Sequence, residues 1–322
     1  MREFIIKRLL RMIPILFGIT FISFFVIQLA PGDYFTSLSM NPQISPATLE
    51  KMRIQFGLNK PWIVQYFKWV WNLIHLNFGE SFIYHVPVIT LIKQRLFNTF
   101  ILSTTAIIFS WLIAIPLGIY CAVKQYSWID KFFSAFSIIG ISSPGFYMAF
   151  LLLFFAAKTG IFPIGGVISI DHESLSTWRK IMDYARHMAI PSIVLIFGSI
   201  AGLLRIMRAN MLDILHAPYI TTARAKGQRE FFVIFKHGLR NAVNPLITIF
   251  GYTIPEFLGG AALIEMVTAW PGLGRLMLDA VRSHDQYLVM GDLVISGVLL
   301  LMGNLIADIL HMLVDPRRRE SI

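Results

Sequence analysis

The sequence predicts an all-α polytopic membrane protein with six transmembrane helices. Three observations carry that prediction: a composition too apolar for a soluble domain, six long apolar runs, and lysine and arginine gathered on one side of those runs. Of 322 residues, 56% are hydrophobic and 14% are charged. A soluble domain carries about 25% charged residues, so lipid is the expected surroundings. The length would accommodate two soluble domains, but the repeated spans argue for one integrated bundle. The single cysteine, Cys121, excludes an intrachain disulfide and a cysteine-based metal site.

The six predicted spans are residues 9–29, 99–123, 132–157, 188–207, 242–264 and 288–314. Each is near the length of about 20 apolar residues that crosses a hydrocarbon core of about 30 Å. The first has a basic flank, Lys7, Arg8 and Arg11, like a signal peptide. Its apolar stretch is longer than an h-region and Gln28-Leu29-Ala30-Pro31 is a poor cleavage site, so a retained span is expected. With the N-terminus in the cytoplasm, sixteen of the 28 lysines and arginines fall on the inner side, with six acids. That places a charge of +10 inside, equal to the net charge of the chain. The basicity is a topology signal and does not require nucleic acid.

The largest external loop covers residues 30–95. Ser45-Pro46 is expected to cap and open a short helix, with Leu49, Met52 and Phe56 on one face and Gly57 as its stop. Pro61 opens a second helix carrying Trp62, Tyr66, Phe67, Trp69 and Trp71, aromatics suited to a membrane–water interface or to packing on the bundle. This divides the chain into residues 1–98, a first span with its external loop, and residues 99–322, a five-helix core.

That core carries an unusual hairpin at 212–241. Pro218 interrupts the continuation of span 4, Tyr219–Lys226 has helical composition, Gly227 permits a sharp turn, and Gln228–Lys236 can form a second short helix. Asn244-Pro245 reads as the cap and first turn of span 5. Phe231, Phe232, Val233, Ile234 and Phe235 are consecutive, between Arg224, Lys226, Arg229 and Lys236. Five adjacent apolar residues cannot share one face of a helix. Some must meet the bundle, leaving others for lipid or a partner protein.

This segment resembles the EAA loop of ATP-binding-cassette importer permeases, whose pattern is Glu-Ala-Ala, then Gly, then an apolar-x-Leu-Pro close. Ala223 and Gly227 match, with Leu239 near the end; Thr221 and Thr222 replace Glu-Ala, His237 takes the apolar position, and Arg240 replaces the proline. Thr-Ala-Arg-Ala-Lys-Gly followed by Lys-His-Gly-Leu-Arg-Asn-Ala is closer to the dipeptide/oligopeptide/nickel branch, in its B-type permease. Further strings in order resemble the same branch: Ile13–Asp33, Phe56–Pro61, Asn77–Ser81, Leu258–Leu276 and Leu313–Arg319.

The resemblance implies a type I importer (MetI-like) permease fold, and one half of a peptide translocation path working by alternating access in a prokaryotic cell membrane. It also implies a second homologous permease, two cytoplasmic ATPase subunits, and an extracytoplasmic solute-binding protein. The hairpin would dock on an ATPase through Tyr219, Thr222, Ala223, Arg224, Ala225, Gly227, Phe231 and Phe232. The branch also carries nickel chelates, glutathione and oligosaccharides. No cofactor is expected in this chain, ATP and Mg belonging to the ATPases. The sequence has no Gly-Lys dipeptide, so no phosphate-binding G-x-x-x-x-G-K-[ST] loop can be written.

Candidate path residues are Ser142, Ser143 and Pro144, where proline removes a backbone donor and kinks span 3, and Pro255 and Glu256 in span 5. A kink in span 3 serves packing as readily as a pore wall, whereas in span 5 close packing through Gly259-Gly260-Ala261-Ala262 is the default reading. Glu256, Glu265, Asp292 and Asp308 are near enough to an interface to be hydrated, and Arg205 and Arg208 are expected to snorkel. A secondary transporter or channel would require a midplane carboxylate cluster or inverted repeats, and neither is evident. A serine protease would require Ser142 to reach His311, which the spans keep apart.

Overall fold

A computed structural model describes residues 2–39, 44–247, 249–250, 253 and 261–314. Among the described residues, four helices are long and apolar enough to cross a membrane, or up to five if one bent pair counts as a span. They are α1 (Arg2–Leu29), α5 (Val88–Val123), α8 (Thr177–Leu215) and the closing helix Gln286–Val314. Between α1 and α5 lie α2 (Tyr34–Leu38), α3 (Pro46–Phe56) and α4 (Trp62–Ile74). The bent pair is α6 (Trp128–Ser142) and α7 (Gly145–Thr159). Within the expected span 242–264, residues 248, 251–252 and 254–260 lie outside the described residues, Pro255 and Glu256 among them; 244–247, 249–250 and 253 are helical.

The third span was expected as one kinked helix. Instead α6 and α7 meet at 104°. Pro144 pushes the preceding residue out of helical geometry, and Ser143 is extended at φ −90, ψ 122. Each half has 15 residues, about 22 Å of helix, so neither crosses a bilayer alone.

By internal contacts the chain forms two compact units, one of Met1–Thr99 with Pro271–Leu301, the other of Phe100–Trp270 with Met302–Ile322. In the first, α3 is capped by Ser45, whose side chain accepts from the Thr48 amide, and stops at Gly57 with φ +73. Helix α4 packs on α1: the buried Tyr66 hydroxyl meets Thr20 Oγ1 at 3.1 Å, and Phe17, Phe21 and Phe24 stand edge-on to its ring. Phe67 and Trp71 remain exposed on its other face. The fully buried Asp285 accepts from Ser81 Oγ at 2.6 Å, from the Ile83 amide and from the Leu288 amide in the first turn of Gln286–Val314. Burial pushes the Asp285 carboxyl above the ordinary range, against those hydrogen bonds.

In the second unit α8 is the organising element, and glycines set how closely its neighbours approach. A Cβ on Gly118 of α5 would lie 2.7 Å from Met207 Cβ, and one on Gly140 of α6 would lie 2.6 Å from Ala201 Cβ. Both crossings therefore require glycine. Arg208 does not snorkel as expected. Its guanidinium makes a two-armed pair with the buried Asp130, at 2.5 Å and 2.8 Å, while the Tyr126 amide donates to the same carboxylate at 2.8 Å. Glu265 and Asp292 are buried as well, so protein rather than water surrounds them. Beyond α7, the segment ending at the short His172–Ser174 turn is gathered onto α8 by Asp183. That carboxylate accepts from the Ser169 amide and hydroxyl and meets His172 Nδ1.

Candidate functional site

The hairpin after α8 is built from short pieces, each with a local cause. Ala217 is extended and Pro218 opens α9 (Pro218–Ala225) at a position where its missing N–H costs nothing. Thr222 Oγ1 donates back to the Pro218 carbonyl at 3.0 Å. Gly227 reverses the chain at φ +73, with its amide on the Arg224 carbonyl and the Gln228 amide on the Ala223 carbonyl.

The return limb is one turn of α-helix, Glu230–Phe232, followed by a π-helical turn, Val233–Leu239, and a further α-turn, Arg240–Ala242. The helical path then continues through Asn244 and Pro245, with the Ile247 amide on the Val243 carbonyl. Asn244 is therefore not the expected cap. The wider π turn sits where Gly238 meets α8: a Cβ there would be 2.8 Å from Met211 Cε.

Side chains sort sharply across this hairpin. Ile220 and Val233 are fully buried, packing with Ala223 and Ile214. Phe231, Phe232 and Phe235 are 63%, 50% and 44% exposed. Phe231 and Phe235, one turn apart, lie with ring centroids 4.6 Å apart, and Phe232 stands edge-on to Phe231 at 5.9 Å. Tyr219, Thr222, Arg224 and Ala225 are exposed alongside.

Polar contacts clamp the two limbs. Arg224 makes a two-armed pair with Glu230 at 2.7 Å and 3.2 Å. The Asn241 amide donates to the Tyr219 hydroxyl at 3.0 Å, and His237 Nε2 meets Gln228 Oε1 at 2.9 Å. The Arg224 guanidinium holds the Glu230 carboxyl below the usual carboxylate range, and Glu230 raises Arg224 in return. The outcome is a small aromatic knob, edged with arginine and lysine, on a supported base. It can bind a partner through apolar contact and has no catalytic arrangement of its own.

The other candidates are placed differently. Ser142 is exposed at the end of α6, Ser143 half-buried at the break, and Pro144 exposed. Beside them lies a cavity of about 340 Å³ that reasoning from the sequence missed. Gly145, Leu195, Gly198, Ser199, Gly202 and Thr253 are among its lining residues. Its signal in the sequence was the spacing Gly198-x-x-x-Gly202 in a helix, where each glycine costs about 1 kcal/mol against alanine.

Residues 114–320 match the model of the binding-protein-dependent transport system inner membrane component, and residues 1–103 match its N-terminal companion. The chain belongs to that family. Along 98% of this chain and 99% of the relative, it is 46% identical to the oligopeptide transport system permease protein AppB of Bacillus subtilis. It is 36% identical, over 98% of this chain and 99% of the relative, to a Brucella suis protein named as a peptide permease. Over 99% of this chain and the whole of the relative, it is 33% identical to a Sinorhizobium fredii protein named as a peptide ABC transporter permease. This permease component is thus an all-α polytopic membrane protein of the MetI-like fold, a transport subunit by family.

Proposed function

We propose that this permease forms half of the translocation path of an ATP-driven oligopeptide or dipeptide importer, and that its hairpin is the coupling element for a cytoplasmic ATPase. The aromatic knob of Phe231, Phe232 and Phe235 carries the reading. Three exposed rings on a base clamped by Arg224–Glu230 and Asn241–Tyr219 are costly to leave in water and well shaped to fill a groove on another protein. The names of the relatives supply the peptide class.

The assembly comprises this chain, a second homologous permease, two ATPases that bind ATP and Mg, and an extracytoplasmic solute-binding protein. Both chain termini and the hairpin face the cytoplasm of a prokaryotic cell. Closure of the ATPases on ATP draws the two hairpins together, and the permeases rock between outward-open and inward-open states. The chain itself performs no hydrolysis.

Gly227→Pro and Phe232→Asp test the coupling role. Proline cannot adopt φ +73 and would lose the amide that bonds Arg224. Aspartate would place charge in the docking face. In the reconstituted complex both should abolish peptide uptake while membrane insertion persists and ATP hydrolysis no longer responds to the binding protein. Normal uptake by both variants would remove the hairpin from the coupling path.

A further inference from the structure

We propose that α4 is bedded in the outer leaflet of the membrane, with Ile63, Phe67, Trp71 and Ile74 facing the acyl chains of lipid. This placement does not depend on which solute the permease carries.

Helix α4 has three faces. Successive residues turn about 100° around a helix, so those three or four apart share a side. Trp62, Tyr66, Trp69 and Leu73 form the face packed into the core of the first unit. Gln65, Lys68 and Asn72 form a polar face, which shares a cleft with Gly57, Leu58 and Gln286, the last at the start of the closing helix. Gln65 Nε2 fastens that face to the preceding turn, donating to the Leu58 and Lys60 carbonyls at 3.2 Å and 2.8 Å. Ile63, Phe67, Trp71 and Ile74 form the third face, apolar and exposed. It is centred about 140° around the helix from the polar one.

Depth identifies what covers the third face. Helix α1 carries its basic flank at Lys7, Arg8 and Arg11 and ends at Leu29. Thr20 stands midway between Arg11 and Leu29, about 14 Å along the axis from either. The Tyr66 hydroxyl reaches Thr20 Oγ1 at 3.1 Å, and the Trp62 ring lies 5.9 Å from Phe21 and 5.5 Å from Phe25. Helix α4 therefore meets α1 within the length that crosses hydrocarbon, in its outer half, and not above it. Phe21 and Phe25 are themselves exposed, so the apolar face of α4 adjoins an apolar side of α1 at the same depth. The polar face looks toward the external end of the closing helix, and the face turned away from it looks into the leaflet. A helix with one polar and one apolar face, sunk about 5–10 Å, is bound as an interfacial helix is. A protein arriving from the external water would meet the polar face first.

The test uses the assembled transporter, purified through this chain and reconstituted in liposomes of phosphatidylethanolamine and phosphatidylglycerol. Phe67→Cys, Ile74→Cys and Lys68→Cys are each labelled with an environment-sensitive fluorophore, and wild type labelled in parallel gives the background. Emission from Phe67→Cys and Ile74→Cys should shift to shorter wavelength and fall by about half or more with nitroxides on the lipid acyl chains, while aqueous iodide quenches little. Lys68→Cys should show the reverse. Iodide quenching of Phe67→Cys and Ile74→Cys would place the face in water and overturn the proposal. Short-wavelength emission that neither quencher reaches would show that protein covers the face, which overturns it too. Equal lipid quenching at all three sites would overturn the orientation. If one apolar variant fails to assemble, the other decides together with Trp71→Cys.

Discussion

At the scale of single residues, the decisive contacts are buried carboxylates whose partners lie far away in the chain. Asp130 and Arg208 are 78 positions apart. Asp130 alone reads as an acidic residue in the first turn of a helix, and Arg208 alone as a cation at a membrane edge. Only folding brings them together. Removing one partner of a buried pair strands the other, so Arg208→Ala should cost about 3 kcal/mol, the low end for such losses because Arg208 is partly exposed. Asp130→Asn combined with Arg208→Gln should recover part of that cost. Thermal unfolding in detergent measures both, and an Arg208→Ala protein as stable as wild type would show that the pair contributes nothing.

Asp285 gives a pH signature. Its folded pKa is raised by burial, so the folded chain holds the proton more tightly than the unfolded one. The stability this confers is complete below about pH 4, the unfolded value, and is lost as pH rises through the raised pKa. Asp285→Asn should flatten that part of the stability profile while still accepting from the Leu288 amide. An identical slope in the variant would rule out Asp285 as its source.

At the scale of elements, local chemistry made much of the hairpin legible. Pro218 opens α9, Gly227 turns the chain, and the five apolar residues divide between Val233 and Ile234 inside and three phenylalanines outside. The π turn was not legible, because it answers to Met211 on a different helix, pressed against Gly238. The same limit applies to span 3. Pro144 signalled a kink, while the 104° angle is set by where α6 and α7 pack on α8.

Two element-scale outcomes follow. Gly118→Ala should destabilise by about 1–3 kcal/mol through overpacking against Met207, whereas Gly198→Ala should stabilise by up to about 1 kcal/mol; unfolding curves that rank them the other way would refute the account of the α8 glycines. The Arg224–Glu230 clamp is exposed on both sides, so it contributes no more than about 1 kcal/mol. Because the Glu230 pKa is lowered, that contribution is present above about pH 4.3 and is lost as pH falls through the folded value. Hydrogen exchange in the hairpin at pH 3 against pH 6 should report a small loosening, absent in Glu230→Gln.

At the scale of the whole molecule, the charge distribution predicts orientation. The buried Cys121 leaves a quiet background for labelling. Ile170→Cys, at a fully exposed position, should react with an impermeant maleimide on intact cells, and Gln228→Cys in the hairpin only after the membrane is opened. The reverse pattern would invert the topology drawn from lysine and arginine.

Sequence alone determined the class of molecule, because hydrocarbon thickness and charge asymmetry act on runs of residues without reference to neighbours. It also determined the hairpin's turn and aromatic content, which depend on proline, glycine and adjacency. Tertiary structure alone decided which rings stay exposed, that Arg208 pairs with Asp130, that span 3 breaks sharply, and that a Cβ on Gly198 or Gly202 would meet no described atom within 4 Å while Gly118 and Gly140 are pressed against α8. All four glycines look alike in sequence. A glycine's role is set by the atom that would meet its missing side chain, and that atom belongs to another part of the fold.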